Sequence, residues 1–383
     1  MSRIFCLSYL LNSNFTAMIS SQEFTQNELK NSSTNEHQLV LVYGYREQIE
    51  SDLDVELIAS KFPKAEIVIT TTAGHVKNKV FHEEIVISAH HFEKTRLASF
   101  QIKQTENSSN FSRELIQSIH KEDLKALLII ADNTFGKSTE IIDELNFEFK
   151  GKVDVFGGLA GNLDLSSPSL TGLNSSPSEN NLIVIAFYGN ELKVHTNKVI
   201  SSKPFGLDFT ITANKGSKLL GLNGKNAYDF MYELFKAEDE NAFQEKIMHY
   251  PFLVKSKNET RYVRSPIYVD HESKVLHYGG NFQNGDKVQL TRSDIIDGLE
   301  ETEKQTKLLA TYNPQLIFLT SCYGRRLFLN ELIEDEIESV KKSIDVNTKL
   351  TGFYSYAEFL SEKDNNNICE IHNNSIALVG LSE

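Results

Sequence analysis

The last quarter of the chain places polar side chains at three points where an apolar strand ends or begins. The three segments are 320–326, 352–358 and 371–375. They combine arginine, carboxylate, amide and small hydroxyl groups, which are the groups that bind small polar molecules. In open α/β sheets ligands bind where the strands end. The segments therefore predict a ligand site rather than an obvious catalytic centre.

Three arginines are candidates for holding an anionic group. Arg264 lies in the alternating segment 262–267, on the opposite face from Val263. Its guanidinium fork matches a carboxylate bidentately, although an exposed arginine on a sheet is the alternative interpretation. Arg325 and Arg326 are adjacent and cannot both point inward. We expect one of them in the site and the other in solvent or in a structural ion pair.

Cys322 follows a strand, at a position where nucleophiles are often found. A cysteine nucleophile needs a nearby histidine or a lowered pKa, and His372 could supply the first. A small buried wall residue is the simpler interpretation of Cys322. The eleven histidines show no metal-binding motif.

Two loops resemble nucleotide-binding motifs incompletely. Segment 131–138 has the form of a phosphate-binding loop, but Ala131 replaces its first glycine, so a turn whose Ser138 caps the next helix is the simpler interpretation. Segment 156–162 is rich in glycine without the dinucleotide-binding spacing. Gly157 and Gly158 indicate close approach of the backbone to a neighbour or to a small ligand.

Composition excludes some classes of function. The chain has 383 residues and a formal charge of −13, which argues against binding to nucleic acid or to an anionic membrane surface. No apolar run reaches the roughly 18 residues that span a bilayer. Three cysteines without paired spacing fit a reducing cytoplasm.

The beginning of the chain predicts little structure. Residues 1–17 match no element, translation could start at Met1 or Met18, and 1–37 as a whole indicates a flexible N-terminal segment.

One supersecondary pattern occurs three times. A strand, a helix and a second strand are predicted at 39–44, 51–61 and 66–70, again at 125–130, 138–147 and 153–156, and again at 316–319, 328–343 and 349–352. Such units favour parallel strand pairs. The acidic stretch 331–338 is interpreted as a solvated helix face.

Between these units the pattern alternates and predicts two hairpins, 84–92 with 96–103 and 182–188 with 192–199. The fold class is therefore α/β, with mixed parallel and antiparallel sheets flanked by helices, in two lobes. The predicted modules are 38–222 and 223–383.

These residues together resemble the FIST family. Segment 156–162 is similar to a signature of its N-terminal module. Arg264-Ser265-Pro266, then 321–326, 352–358 and His372-Asn373, match motifs of its C-terminal module in order, with Ala357 where the family usually has glycine.

The resemblance implies a sensory protein that binds small ligands such as amino acids. One arginine pair, Arg264 with Arg325 or Arg326, would hold the carboxylate, and Glu358 would hold the ammonium. The candidate ligand-binding residues are Arg264, Cys322, Arg325, Arg326, Tyr354, Ser355, Glu358, Asn373, Gly157 and Gly158.

The same resemblance implies action on a signalling partner such as a histidine kinase, in the cytoplasm and without enzymatic activity. Two alternatives stay open. The first is a haem-binding nitric oxide sensor, with His372 or His249 as the axial ligand. The second is a cysteine-dependent enzyme.

Overall fold

The computed structural model describes residues 18–34, 36–104, 111–164, 167–200, 202–255, 261–363 and 366–383. The expectations for residues 1–17 and for the start at Met1 or Met18 lie outside the described residues. Within them, helices flank four sheets of mixed parallel and antiparallel strands, which confirms the predicted fold class.

The strands, in chain order, are β1 (Ile19–Thr25), β2 (Leu39–Gly44), β3 (Glu66–Thr71), β4 (His75–Lys77), β5 (Val80–His82), β6 (Val86–Phe92), β7 (Arg96–Lys103), β8 (Leu124–Ala131), β9 (Asp154–Leu159), β10 (Thr171–Leu173), β11 (Asn181–Tyr188), β12 (Lys193–Ile200), β13 (Ser202–Lys215), β14 (Lys218–Leu222), β15 (Lys225–Asn226), β16 (Phe252–Lys255), β17 (Arg261–Arg264), β18 (Pro266–Asp270), β19 (Val275–Tyr278), β20 (Lys287–Ser293), β21 (Leu316–Cys322), β22 (Lys349–Ser355), β23 (Ala357–Glu362), β24 (Ile368–His372) and β25 (Ser375–Ser382). The helices are α1 (Gln26–Lys30), α2 (Arg46–Ser51), α3 (Val55–Lys61), α4 (Phe111–Ser118), α5 (Ser138–Phe149), α6 (Ala227–Phe235), α7 (Glu240–Met248), α8 (Ile295–Ala310), α9 (Tyr323–Leu329) and α10 (Ile333–Lys341), with a 3-10 turn at Asn330–Leu332.

Three of the sheets are each built around one parallel strand pair. The pairs are β2–β3, β8–β9 and β21–β22, and helices connect the two strands of each pair. The three predicted strand–helix–strand units are therefore confirmed. The first strand of each pair is mostly apolar and almost entirely buried, as expected for a strand covered on both faces.

These three sheets share one apolar core. Leu41 of β2, Leu128 of β8 and Phe318 of β21 belong to the same buried cluster. The sheet order β12-β25-β21-β22-β4-β5 and the order β24-β23-β9-β8-β11-β7 both mix strands from early and late parts of the chain. The first lobe is thus assembled from both ends of the sequence.

The second lobe is the fourth sheet, with α6 and α7 packed on it. Its strand order is β17-β16-β20-β13-β14-β19-β18, with β15 paired to β14. Its core is largely aromatic and includes Tyr228, Phe243, Phe252 and Tyr278. The chain enters this sheet at β13, upstream of the predicted module boundary at residue 222.

Both predicted hairpins are wrong. β6 pairs with β1 and β2, whereas β7 pairs with β11; likewise β11 pairs with β7 and β8, whereas β12 pairs with β25. In each case the chain passes from one sheet to another at the turn. Alternation reports which face of a strand is buried but not which strand it joins.

The prediction of a flexible segment up to residue 37 is also wrong for the residues described there. β1 pairs with β6 over seven residues, and Ile19 is buried. α1 follows at once, with Thr25 and Glu28 forming a capping box. Two donors are satisfied reciprocally in such a box, which fixes the start of the helix.

Candidate functional site

The three parallel units meet where their second strands end. Each end accepts one backbone hydrogen bond and donates another from the residue two positions later. The bonds run from Gly161 N–H to Thr71 O (3.1 Å), from Ala73 N–H to Tyr354 O (3.0 Å) and from Tyr356 N–H to Leu159 O (3.1 Å). They close a ring through all three units, which we call the strand-end ring. The predicted polar segment 352–358 is part of it.

Glu358 lies just beyond this ring, with no exposed surface. The hydroxyl of Ser355 donates to its Oε1 at 3.0 Å, and the hydroxyl of Ser375 donates to its Oε2 at 2.6 Å. Burial raises the pKa of Glu358 to about 8, although the two serines and the charge of Arg325 oppose this rise. The carboxyl group is therefore mostly protonated at neutral pH.

Cys322 ends β21 beside Glu358 and is buried. Burial raises the pKa of its thiol far above the usual range, and the charge of Glu358 adds to the rise. Backbone N–H groups of Asn374, Gly324 and Arg325 oppose it without reversing it. The thiol is protonated at neutral pH, which matches the simpler interpretation of a buried wall residue.

Arg325 points inward and pairs with Glu336. Its Nη2 lies 2.6 Å and its Nε 2.7 Å from Glu336 Oε2, and both side chains are almost fully buried. The hydroxyls of Ser321 and Tyr354 donate to the other oxygen at 2.9 and 2.8 Å. This network fixes the start of α9 and the end of β22 to α10.

The interpretation of 331–338 as a solvated helix face is therefore wrong for Glu336, which sequence reasoning missed. The sequence does indicate its burial, because the spacing places Glu336 on the same helical face as the buried residues Ile333, Ile337 and Val340.

Arg326 lies at the rim, with 18% of its side chain exposed. Its guanidinium donates to the carbonyl of Ala73, lies 3.3 Å from Glu83 Oε1, and sits over the rings of Tyr45 and Phe81. Arg325 is thus the adjacent arginine in a buried structural ion pair, and the placement of the other in a ligand site stays a prediction. Arg326 is the more accessible of the two.

Arg264 ties the second lobe to the first. It is buried, donates to the carbonyl groups of Ile371 (2.7 Å) and Asn281 (3.2 Å), and lies over the ring of Tyr262. Asn373 lies at the same contact, where its Oδ1 is 3.5 Å from the backbone nitrogen of Ser265. Arg264 and Asn373 thus reach the strand beside Glu358, because Glu358 and His372 are register partners. The guanidinium of Arg264 is, however, already committed to carbonyl groups.

Gly157 and Gly158 lie within β9 and allow strands to approach closely. A Cβ on Gly157 would lie 2.0 Å from Ile129 O, and one on Gly158 would lie 2.6 Å from Ala357 O. The backbone approach predicted from these glycines is therefore to neighbouring strands.

The loop at 131–138 is a structural turn. Asp132 is buried and accepts the backbone N–H groups of Thr134 (2.9 Å) and Asn181 (2.5 Å). Its own carboxylate thus takes donors that a phosphate would need. The prediction that Ser138 caps the helix is wrong, since Lys137 is the N-cap and the Ser138 hydroxyl donates to Phe135 O.

The two candidate axial histidines lie in different surroundings. The imidazole of His372 is almost fully buried with its Nε2 2.8 Å from Glu362 Oε1, and burial lowers its pKa to about 4. His249 caps the end of α7 at the surface. A haem ligand needs a free ring nitrogen facing an apolar cavity. The Nδ1 of His372 is buried and has no hydrogen-bond partner among the described residues, so the haem alternative stays a prediction. Among the described residues, no group of three or more His, Cys, Asp or Glu is placed to hold a metal ion.

Comparisons with known proteins identify the class. The family model described as the FIST N domain matches residues 38–225, and the one described as the FIST C domain matches residues 227–361. The chain therefore belongs to the FIST family, whose domains sense small ligands in signal transduction. The search of curated proteins found no match. None of the helices in the described ranges has the length and apolarity needed to cross a membrane.

Proposed function

We propose that this protein is a cytoplasmic sensor of an amino-acid-like ligand and that it acts on a partner protein in trans. The observation that carries the proposal is the carboxyl group of Glu358. It is fully buried at the point where the three repeated units converge, and within the described residues no lysine or arginine forms an ion pair with it.

A buried carboxyl group held by two hydroxyls is suited to receive a cation. Desolvation keeps Glu358 protonated, and an arriving ammonium group would make its ionised form favourable. Ligand binding would then release a proton. The ammonium would also take over acceptor sites that Ser355 and Ser375 now occupy, so those hydrogen bonds must rearrange.

Arg326 is the arginine best placed for the ligand's carboxylate. It is partly exposed, whereas Arg325 is committed to Glu336 and Arg264 to backbone carbonyl groups. Arg326 is connected to the acid through the strand-end ring, since it contacts Ala73, which donates to Tyr354 next to Ser355. An amino-acid zwitterion supplies the two opposed charges that this arrangement requires.

Helix α9 offers a route from the site to the surface. Its N-cap is Cys322, its inner face carries Arg325, and its outer face carries Leu327 and Phe328, which are 59% and 39% exposed. A shift of the end of β22 on ligand binding would move α9 through the network at Glu336. A partner such as a histidine kinase would recognise the changed position of this outer face.

The cytoplasmic location is supported by the chemistry of the cysteines. Cys322 and Cys369 are both free and buried. No observation favours the cysteine-dependent enzyme, because burial holds the Cys322 thiol in its unreactive protonated form.

The test combines thermal shift with calorimetry. The twenty amino acids are screened individually for stabilisation at pH 7, since a ligand that binds the native state raises the unfolding temperature. A stabilising amino acid is then titrated in two buffers of different ionisation enthalpy. We expect release of about one proton per ligand bound.

Variants assign the two charges. Glu358→Gln should abolish the proton release and most of the thermal shift, and Arg326→Gln should weaken binding by about tenfold or more. Glu23→Gln is the matched control, because Glu23 is another largely buried glutamate with a raised pKa, located outside this site. Unchanged proton release in Glu358→Gln, or no stabilising amino acid in the screen, would refute the proposal.

A further inference from the structure

We infer that a second site, a cavity of about 440 Å³ between β1, the β4–β5 turn and the end of α10, binds a small phosphate monoester. This site is separate from the one at Glu358 and does not depend on the proposed function. Its lining includes three lysines and three apolar residues.

Three lysines from different parts of the fold converge on this cavity. Lys79 lies in the β4–β5 turn, Lys341 ends α10, and Lys349 begins β22. Burial is the largest cause that lowers the pKa of Lys79, and the charges of Lys349 and Lys341 add to it, while those of Asp345 and Glu23 oppose it. Ammonium groups are therefore held close enough to repel one another, in a chain whose net charge is −13.

The partners of these lysines leave room for an anion. Lys79 donates to the backbone carbonyls of Asp345 and Val346, both at 3.1 Å, and Lys341 lies 3.1 Å from Glu338. Across the described ranges, no carboxylate lies within ion-pair distance of the Lys349 ammonium. A dianion placed between the three would relieve their repulsion and give Lys349 a partner.

The chemistry of the wall defines the class of ligand. Lysines act as point charges, which suit the spherical charge of a phosphate better than the planar geometry of a single carboxylate. Ile344, Val346 and Leu350 line the same cavity, and Val346 is 83% exposed. An apolar substituent on the phosphate would cover these side chains.

Glu23 is the one acidic side chain in the lining. Its carboxyl group accepts the Asn78 N–H at 2.7 Å, and burial raises its pKa to about 7. Glu23 also accepts a hydrogen bond from Ser88, and it interacts electrostatically with Lys77, Lys349, Lys79 and Tyr43. When Glu23 is ionised it competes with a bound anion for the lysines, so its removal should strengthen binding.

The experiment uses inorganic phosphate and phenyl phosphate as probes, titrated calorimetrically into the full chain at pH 8. We expect phenyl phosphate to bind several-fold more tightly than phosphate, because its ring covers the apolar wall. Lys349→Gln and Lys79→Gln should each weaken phenyl phosphate binding by about tenfold. Glu23→Gln should strengthen it.

Lys342→Gln is the matched control, since Lys342 is an exposed neighbour on the same helix end and does not line the cavity. It should leave binding unchanged, and circular dichroism should show that all four variants fold. Equal losses in Lys342→Gln and Lys349→Gln would mean that only the general surface charge attracts the probe. That result, or binding insensitive to Lys349, Lys79 and Glu23, would overturn the inference.

Discussion

Arg325 and Glu336 form an ion pair in the interior, with 2.6 Å between Nη2 and Oε2 and almost no exposure of either side chain. The glutamate also accepts hydrogen bonds from Ser321 and Tyr354. A buried charge pair is not by itself evidence of stability, because desolvation opposes the Coulombic gain. Together with those two hydroxyls, the pair joins β21, β22, α9 and α10 beneath the candidate site, so its loss should weaken the contacts among these four elements.

The first prediction concerns this pair. Glu336→Gln keeps the shape of the side chain but removes the carboxylate that pairs with the buried guanidinium of Arg325, so the free energy of unfolding should fall by about 3–5 kcal/mol. Urea denaturation measures it. Glu338→Gln is the control on the same helix, where an exposed pair with Lys341 should contribute less than about 1 kcal/mol. Equal effects of the two substitutions would contradict a structural role for the buried pair.

The second prediction concerns the pH dependence of Glu358. Its pKa is about 8 in the folded chain and near 4.5 when exposed. Between these values the folded state keeps a proton that the unfolded state has lost, so its contribution to stability is lost as pH rises from about 4.5 to 8. Glutamine does not ionise, so the Glu358→Gln variant should not lose stability in this way as pH rises. Stability of the variant relative to wild type should rise by a few kcal/mol across that window, as urea midpoints at several pH values would show. A constant difference would mean that Glu358 is ionised in the folded chain.

The repeated units could be predicted because their signal is local. Each first strand is an apolar run, and each is followed by a helix and a second strand. The polar segments that include Glu358 and Arg325 were predicted from the same local pattern. The order of the motifs along the chain indicated the FIST family, whereas the amino-acid composition alone does not distinguish families.

The remaining features depend on contacts between distant segments. The hairpin predictions were wrong because a turn between two sheets has the same sequence pattern as a turn within one, as at Gly189 between β11 and β12. The strand-end ring is made by backbone groups and leaves no side-chain signature. The spacing of Glu336 relative to the apolar residues of α10 indicates a buried position, but the acidic residues next to it favoured the interpretation as a solvated face.

The third prediction tests the close approach of β8 and β9. Gly157 has a φ of +131°, and a Cβ there would lie 2.0 Å from Ile129 O. Gly157→Ala should therefore lower the free energy of unfolding by roughly 2–5 kcal/mol, through backbone strain and overpacking together. Gly136→Ala is the control, because no atom lies within 4 Å of its added Cβ. Urea denaturation of both variants measures the effect. If Gly157→Ala lowers the free energy of unfolding no more than Gly136→Ala does, β9 can move away from β8 to make room for the added methyl group.

The fourth prediction separates the two parts of the N-terminal segment. The sequence predicts that residues 1–17 are dispensable, so a chain beginning at Met18 should melt within error of full length. A chain beginning at Ser32 lacks β1 and α1. It loses the buried side chains of Ile19 and Leu29, worth about 1.5–3 kcal/mol each, and it leaves the edge of β6 without a partner. Its melting temperature should drop by several degrees. An unchanged melting temperature in the shorter chain would mean that β1 contributes no stability. A drop already in the chain beginning at Met18 would place residues 1–17 among the stabilising contacts.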